Sequence, residues 1–141
     1  MYFLTTEHSF DAAHFLSGYE GKCSHIHGHR WRVIVEIKDS QLQSEQQTRG
    51  MVVDFGDFKK DVKEAIDYFD HSLIYEKDTL KSKTVEALHE EGFKLIEVMF
   101  RPTAENFAKY FHDFMSHIGY NVSKVTVYET PTNCAAYTKE D

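Results

Sequence analysis

His29-Arg-Trp-Arg-Val-Ile-Val-Glu-Ile-Lys38 alternates apolar and polar residues, so Trp31, Val33, Val35 and Ile37 fall on one face of an extended chain. This is the clearest strand of the sequence, and the rest can be read outward from it. Upstream, residues 15–26 hold two glycines and several polar residues and read as a loop. Before the loop, residues 2–13 mix Tyr, Phe, Leu and Thr with polar residues and read as another strand. Downstream, the polar stretch Ser40–Gly50 reads as a hairpin connection. Asp54 or Asp57 then caps a helix whose apolar stripe is Phe58, Val62, Ala65, Ile66 and Phe69, with Asp70-His71 where the helix should end. Residues 76–101 carry the weakest pattern: Lys83–Glu91 looks helical and Lys94–Phe100 looks like a short strand.

A second strong helix follows. Thr103 is its N-cap, Phe107, Tyr110, Phe111, Phe114, Met115 and Ile118 form its stripe, and Gly119 suits the position just past its end. Residues 122–130 and 133–138 read as two strands joined across Pro131-Thr132. Strand, strand, helix, helix, strand, strand predicts an α+β domain, an antiparallel sheet with helices on one face.

With 141 residues the chain suits a single domain, 1–141, and 41% apolar residues allow a packed core. A net charge of −7 argues against nucleic-acid and anionic-membrane partners, which need a basic face, but not against a small anionic ligand held by local cations. No apolar run approaches a membrane span, and Met1–Glu7 lacks the basic and apolar regions of a signal peptide. Two cysteines make no disulfide framework, and Cys23 among histidines fits a reducing compartment. A soluble cytoplasmic protein is expected.

Cys23-Ser-His-Ile-His-Gly-His29 packs a thiol and three imidazoles into one short segment, and His14 lies just upstream. Imidazole is the commonest ligand for divalent first-row metals, and three protein ligands with one open position describe a catalytic zinc site. On an extended chain His27 and His29 share a face, and His14 near the end of the first strand can meet them across an antiparallel pair. His25 has the same parity, so periodicity alone leaves it in contention. Lone histidines are usually ordinary surface groups; the clustering is what makes an enzyme the leading expectation.

Phe10-Asp-Ala-Ala-His14, Cys23-x-x-x-His27-Gly-His29, Asp70-His71, Pro102-Thr-Ala-Glu105-Asn106 and Tyr128-Glu129-Thr130 together, in this order, resemble the 6-pyruvoyltetrahydropterin synthase / 6-carboxytetrahydropterin synthase family. The resemblance implies a tunnelling fold, a four-stranded antiparallel sheet with two helices packed on one face, assembled as a homohexamer. It implies that His14, His27 and His29 bind Zn2+ and that His25 falls in the variable positions. It also implies Cys23 as general base, Asp70-His71 as an acid–base pair supplied from an adjacent subunit, and Glu129 as the carboxylate that accepts the two N–H groups of a pterin's guanidine-like edge. Glu105 matches a family motif as well, although a first-turn acid also serves the helix dipole. The implied substrate is 7,8-dihydroneopterin triphosphate. Lys22, Arg30, Arg32 and Arg49 are the cations near these motifs in sequence.

Two activities share this scaffold: loss of acetaldehyde and triphosphate to give 6-carboxy-5,6,7,8-tetrahydropterin, on the way to 7-deazaguanine and queuosine, and elimination of triphosphate to give 6-pyruvoyltetrahydropterin. The Cys-x3-His-Gly-His spacing and the short chain resemble the carboxy-forming members. A third subgroup, an aldolase with a glutamate in place of or beside the thiol, is disfavoured by Cys23, with Glu20 as the residue that keeps it open. A non-catalytic zinc-binding oligomerisation module is the expectation from a different class.

Overall fold

The computed structural model describes residues 1–140. The elements are β1 (Tyr2–His14), a 3-10 turn (Lys22–Ser24), β2 (His27–Asp39), α1 (Phe55–Asp67), β3 (Ser72–Glu76), α2 (Ser82–Glu90), β4 (Leu95–Val98), α3 (Ala104–His117), β5 (Val122–Thr130) and β6 (Asn133–Tyr137). β1 and β2 pair antiparallel in unbroken register, from Tyr2 opposite Asp39 to His14 opposite His27. The alternation in β2 has its physical outcome: Trp31, Val33, Val35 and Ile37 are all buried. Since a one-residue slip would turn this whole row to solvent, the pattern also fixes the register that sets the histidines opposite each other.

Helices α1 and α3 cover that dry face. Asp54, not Asp57, caps α1, accepting from the backbone N–H groups of Gly56 and Asp57. α1 buries Phe58, Val62, Ala65 and Ile66; Phe69 lies past its end and is still buried. Thr103 caps α3 by accepting from Asn106 N–H, and Gly119, at φ 114°, takes the left-handed backbone just beyond the helix that a Cβ would oppose. Phe107, Phe111 and Met115 of α3 complete the core with Phe10 and Trp31.

The four-stranded antiparallel sheet with two helices is not what forms. Among the described residues the sheet is mixed and six-stranded, in the order β4-β3-β1-β2-β5-β6, and there are three α-helices. β1, β2, β5 and β6 pair antiparallel, whereas β3 runs parallel to both β1 and β4. The segment after α1 supplies the difference, since β3 and β4 extend the sheet past β1 and α2 crosses between them. Ser40–Gly50 is not a hairpin connection either. It links β2 to α1, folding on itself through hydrogen bonds between Gln43 and the Gly50-Met51 backbone; the β1–β2 turn is the 15–26 loop. No helix among the described residues is long and apolar enough to cross a membrane.

Candidate metal centre

The end of the β1–β2 ladder brings three imidazoles together. His14 and His27 are direct cross-strand partners, His29 faces Ala12, and all three project onto the face that carries Trp31. Ring centroids stand 4.6 Å (His14–His27), 5.2 Å (His14–His29) and 4.8 Å (His27–His29) apart. Trp31, fully buried, packs edge-on against His14 and His29 at 4.9 and 5.5 Å and forms the dry floor of the group. β5 adds Glu129, whose Oε1 lies 3.1 Å from His29 Nε2. One ligand atom from each of His14, His27, His29 and Glu129 falls within 4.8 Å of all the others, so this group could hold a metal ion.

The proton positions favour that reading. His14 Nδ1 is 2.7 Å from the Pro102 carbonyl, and His27 Nδ1 is 2.7 Å from the His25 carbonyl. A carbonyl only accepts, so each Nδ1 carries the proton and each Nε2 of a neutral ring carries a lone pair. Yet the two Nε2 atoms stand 3.1 Å apart, and the buried His29 Nε2, 3.1 Å from Glu129 Oε1, meets no group in hydrogen-bond geometry. Facing lone pairs repel unless a cation sits among them. Ligand atoms of a tetrahedral zinc with bonds of about 2.0–2.1 Å are separated by about 3.3 Å, close to the spacing found.

Burial favours the neutral form of His14 and His29, the form that binds metal. It lowers the pKa of His14 from 6.5 to about 4; the Pro102 carbonyl pulls upward, and His27 and His29 push it further down. His29 is also lowered, first by burial, against the opposing pull of Glu129. In metal-free protein the unfolded chain therefore takes up these protons first. The stability linked to His14 is complete above pH 6.5 and drains as the pH falls toward 4. At 1.36 kcal/mol per pH unit this amounts to about 3 kcal/mol. The urea midpoint of the metal-stripped protein is expected to drop across that window, and less so in His14→Gln; a flat midpoint would contradict the assignment.

Cys23 sits half-buried in the 3-10 turn before β2, outside the four-residue cluster. Asp70 and His71 are clamped to β1: Asp11 N–H donates to Asp70 Oδ1 at 2.8 Å, and His71 N–H donates to the Asp11 carbonyl at 2.7 Å. His71 Nδ1 is 2.8 Å from Asp70 Oδ2, which aligns the ring while leaving it largely in solvent. The Asp11 N–H and then His71 hold the Asp70 carboxyl below the usual carboxylate range. His71 adopts the left-handed region (φ 58°), a strained backbone for a non-glycine residue that the double link to Asp11 maintains.

His71 does not meet the three imidazoles. It lines an open cleft of about 710 Å³ with Asp11, Ala13, Gly28 and Arg30, the alternate residues that point away from the histidine face, and Ala12 and His29 also border it. A Cβ on Gly28 would meet only the Ala12 carbonyl, at 3.8 Å, so no other segment of the chain uses the space its missing side chain leaves. Glu129 borders a second cleft of about 430 Å³, with Arg30, Arg32 and Tyr128. Arg30 pairs with Asp11, and Arg32 pairs with Glu7 and lies 4.1 Å over the Tyr128 ring. Lys22, Arg49 and Glu20 are exposed outside both clefts, and exposed Glu105 sits in the first turn of α3. His25 enters only through its carbonyl. That carbonyl and the one from Pro102 are the functional groups that sequence reasoning missed. The Pro102-Thr-Ala-Glu-Asn106 motif carried the signal: its Thr cap and the Asn106 bond to the Arg101 carbonyl fix the backbone that holds His14.

Comparison with known proteins adds to this geometry. A family model described as 6-pyruvoyl tetrahydropterin synthase matches residues 3–140. A protein of Haemophilus influenzae named 6-carboxy-5,6,7,8-tetrahydropterin synthase is 35% identical over 140 residues, covering 97% of this chain and 99% of the relative. One of the same name from Rickettsia felis is 37% identical over 131 residues, covering 89% and 91%. Among solved structures, an uncharacterized protein of Wolinella succinogenes shares the fold (TM-score 0.78, 23% identity, 99% of this chain and 98% of that one). The Caenorhabditis elegans 6-pyruvoyl tetrahydropterin synthase aligns with TM-score 0.66 at 27% identity, over 99% and 98%.

Proposed function

The chain belongs to the 6-pyruvoyl tetrahydropterin synthase family, and from that premise we propose that it is a zinc-dependent 6-carboxy-5,6,7,8-tetrahydropterin synthase. In this reading it converts 7,8-dihydroneopterin triphosphate to 6-carboxytetrahydropterin with release of acetaldehyde and triphosphate, a cytoplasmic step toward 7-deazaguanines such as queuosine. The names of the curated relatives support the choice of product. The observation that carries it is the convergence of three imidazole rings beside a carboxylate at the mouth of a cleft.

His14, His27 and His29 would hold the zinc, which when bound would supply Lewis acidity toward negative charge on the substrate's side-chain oxygens. Around it the chain's own groups divide the work. Glu129 accepts from the two N–H donors of the pterin edge and so orients the ring. Cys23, as thiolate, takes the proton from the side-chain carbon. His71, aligned by Asp70, carries protons to and from the oxygens. Arg30 and Arg32 border the Glu129 cleft and complement a triphosphate on a chain of net charge −7. His71 opens on the face opposite the imidazoles, so the complete constellation calls for a second copy of the chain, within a homohexamer by family resemblance.

The test is product identification by mass spectrometry after incubating zinc-loaded protein with 7,8-dihydroneopterin triphosphate. Acetaldehyde with a carboxypterin is expected. A pyruvoyl product would transfer the chain to the sister activity, and bound zinc without turnover would make it a binding module.

A further inference from the structure

The β3-α2-β4 excursion supplies no member of the metal centre, yet it ends against His71. Lys94, the residue before β4, is joined twice to the segment that carries His71. Its carbonyl accepts from Leu73 N–H at 3.0 Å, and its Nζ donates to the Asp70 carbonyl at 2.9 Å. That carbonyl belongs to the peptide unit between Asp70 and His71. The N–H of the same unit donates to the Asp11 carbonyl at 2.7 Å. In a planar trans peptide the C=O and N–H point in opposite directions, so this unit is gripped from β1 on one side and from the start of β4 on the other. We propose that Lys94 is a positioning residue for His71, whose ammonium fixes the Asp70–His71 peptide plane and so keeps the imidazole aimed into the cleft.

The orientation of that plane decides where the ring stands. Asp70 ψ and His71 φ lie on either side of it, and together they set how the imidazole meets the Asp70 carboxylate. His71 φ is 58°, a left-handed value that a non-glycine residue keeps only when its surroundings hold it. A flip of the peptide unit would relieve this backbone and break the contact between His71 Nδ1 and Asp70 Oδ2. The carboxylate is not at liberty to follow the ring, since its Oδ1 accepts from Asp11 N–H. Asp11 secures the N–H end of the unit with a neutral bond. Lys94 secures the carbonyl end with a charge-assisted one, the stronger kind. Its ammonium is directed at a carbonyl, whereas Arg30, which lines the same cleft, is paired with the Asp11 carboxylate. Phe93, Lys94 and Leu95 border the cleft beside His71, so brace and ring share one wall. The excursion therefore does more than widen the sheet: the end of it carries the brace.

The brace is a matter of geometry; its effect on turnover rests on the functional reading above. Lys94→Met keeps the apolar stem and removes the charge, and Lys94→Arg keeps a charged donor. Circular dichroism and zinc content check that both variants fold as the parent does. The ring nitrogens of His71, isotope-labelled and assigned through His71→Gln, are read by NMR at about pH 9, above the usual histidine range. In the parent a single tautomer protonated on Nδ1 is expected, because the Asp70 carboxylate only accepts. Lys94→Met is expected to show a mixture of tautomers, and Lys94→Arg to resemble the parent. In turnover, kcat of Lys94→Met is expected to fall by about 10- to 100-fold with KM near that of the parent, the effect of misplacing a reacting group by about 1 Å. Lys94→Arg should recover most of that loss. An unchanged tautomer in Lys94→Met would overturn the brace. So would an unchanged kcat, and a raised KM in its place would make Lys94 a substrate contact. Should the ring respond while the parent fails to turn over 7,8-dihydroneopterin triphosphate, the functional reading falls and the brace stands. Normal turnover in the parent with an indifferent ring would do the reverse.

Discussion

His27→Ala is expected to empty the metal centre and abolish turnover while leaving the fold intact. His27, like His29, is half-buried, whereas His14 is almost fully buried against Trp31, so the truncation at 27 opens space toward solvent and not inside the core. It removes one of the three imidazoles of the proposed ligand set and also the neighbour of His14 Nε2. Residues that merely orient a ligand cost about 10–100-fold in metal affinity, so loss of a ligand itself should exceed about 100-fold. A Lewis acid at the proposed centre would contribute several kcal/mol to charge stabilisation, so kcat should fall by at least about 1000-fold. Metal analysis after gel filtration, paired with far-UV circular dichroism, reads both. His25→Ala is the control: only the His25 carbonyl is used, so zinc content should be unchanged. Full metal occupancy in His27→Ala, or loss in His25→Ala, would show that the wrong imidazole has been assigned.

That pair of variants marks how far a linear reading reaches. The same-face relation of His27 and His29 follows from the two-residue period of a strand, and the position of His14 opposite them follows from pairing two neighbouring strands. Both are local facts, legible without coordinates. The α1 and α3 stripes and the Thr103 cap are legible for the same reason, because each helix buries one face and the spacing records it. The segment 72–98 is different. α2 buries none of its residues, so its sequence carries no core-facing stripe, and β3 has only five residues, of which just two pair with β1. A parallel strand inserted after a helix leaves almost no periodic trace. Contacts at long sequence separation were equally silent: the Pro102 carbonyl on His14, Glu129 against His29, and Asp11 clamping Asp70-His71 join residues that no window along the chain contains together.

The Asp11 clamp leads to the second large effect. It fixes His71 on the outer face of β1, away from the face where His14, His27 and His29 converge, and the link through both Asp11 N–H and Asp11 carbonyl leaves little freedom to swing round. If His71 exchanges protons with a substrate bound at the metal, it does so for a neighbouring chain. Cys23→Ala and His71→Ala are each expected to be inactive, with zinc content near that of the parent because neither belongs to the converging His14–His27–His29–Glu129 group. Mixed in equal amounts under conditions that exchange subunits, the two inactive proteins should regain activity. Each site then draws its thiol and its imidazole from different chains, and about one site in four receives both intact, for a predicted recovery of about a quarter of parental activity. A site built within one chain would recover nothing, because every subunit in the mixture lacks one of the two groups. Recovery that rises with subunit exchange, and is absent when each variant is assayed alone, separates a shared catalytic centre from a metal site that merely lies near an oligomer interface.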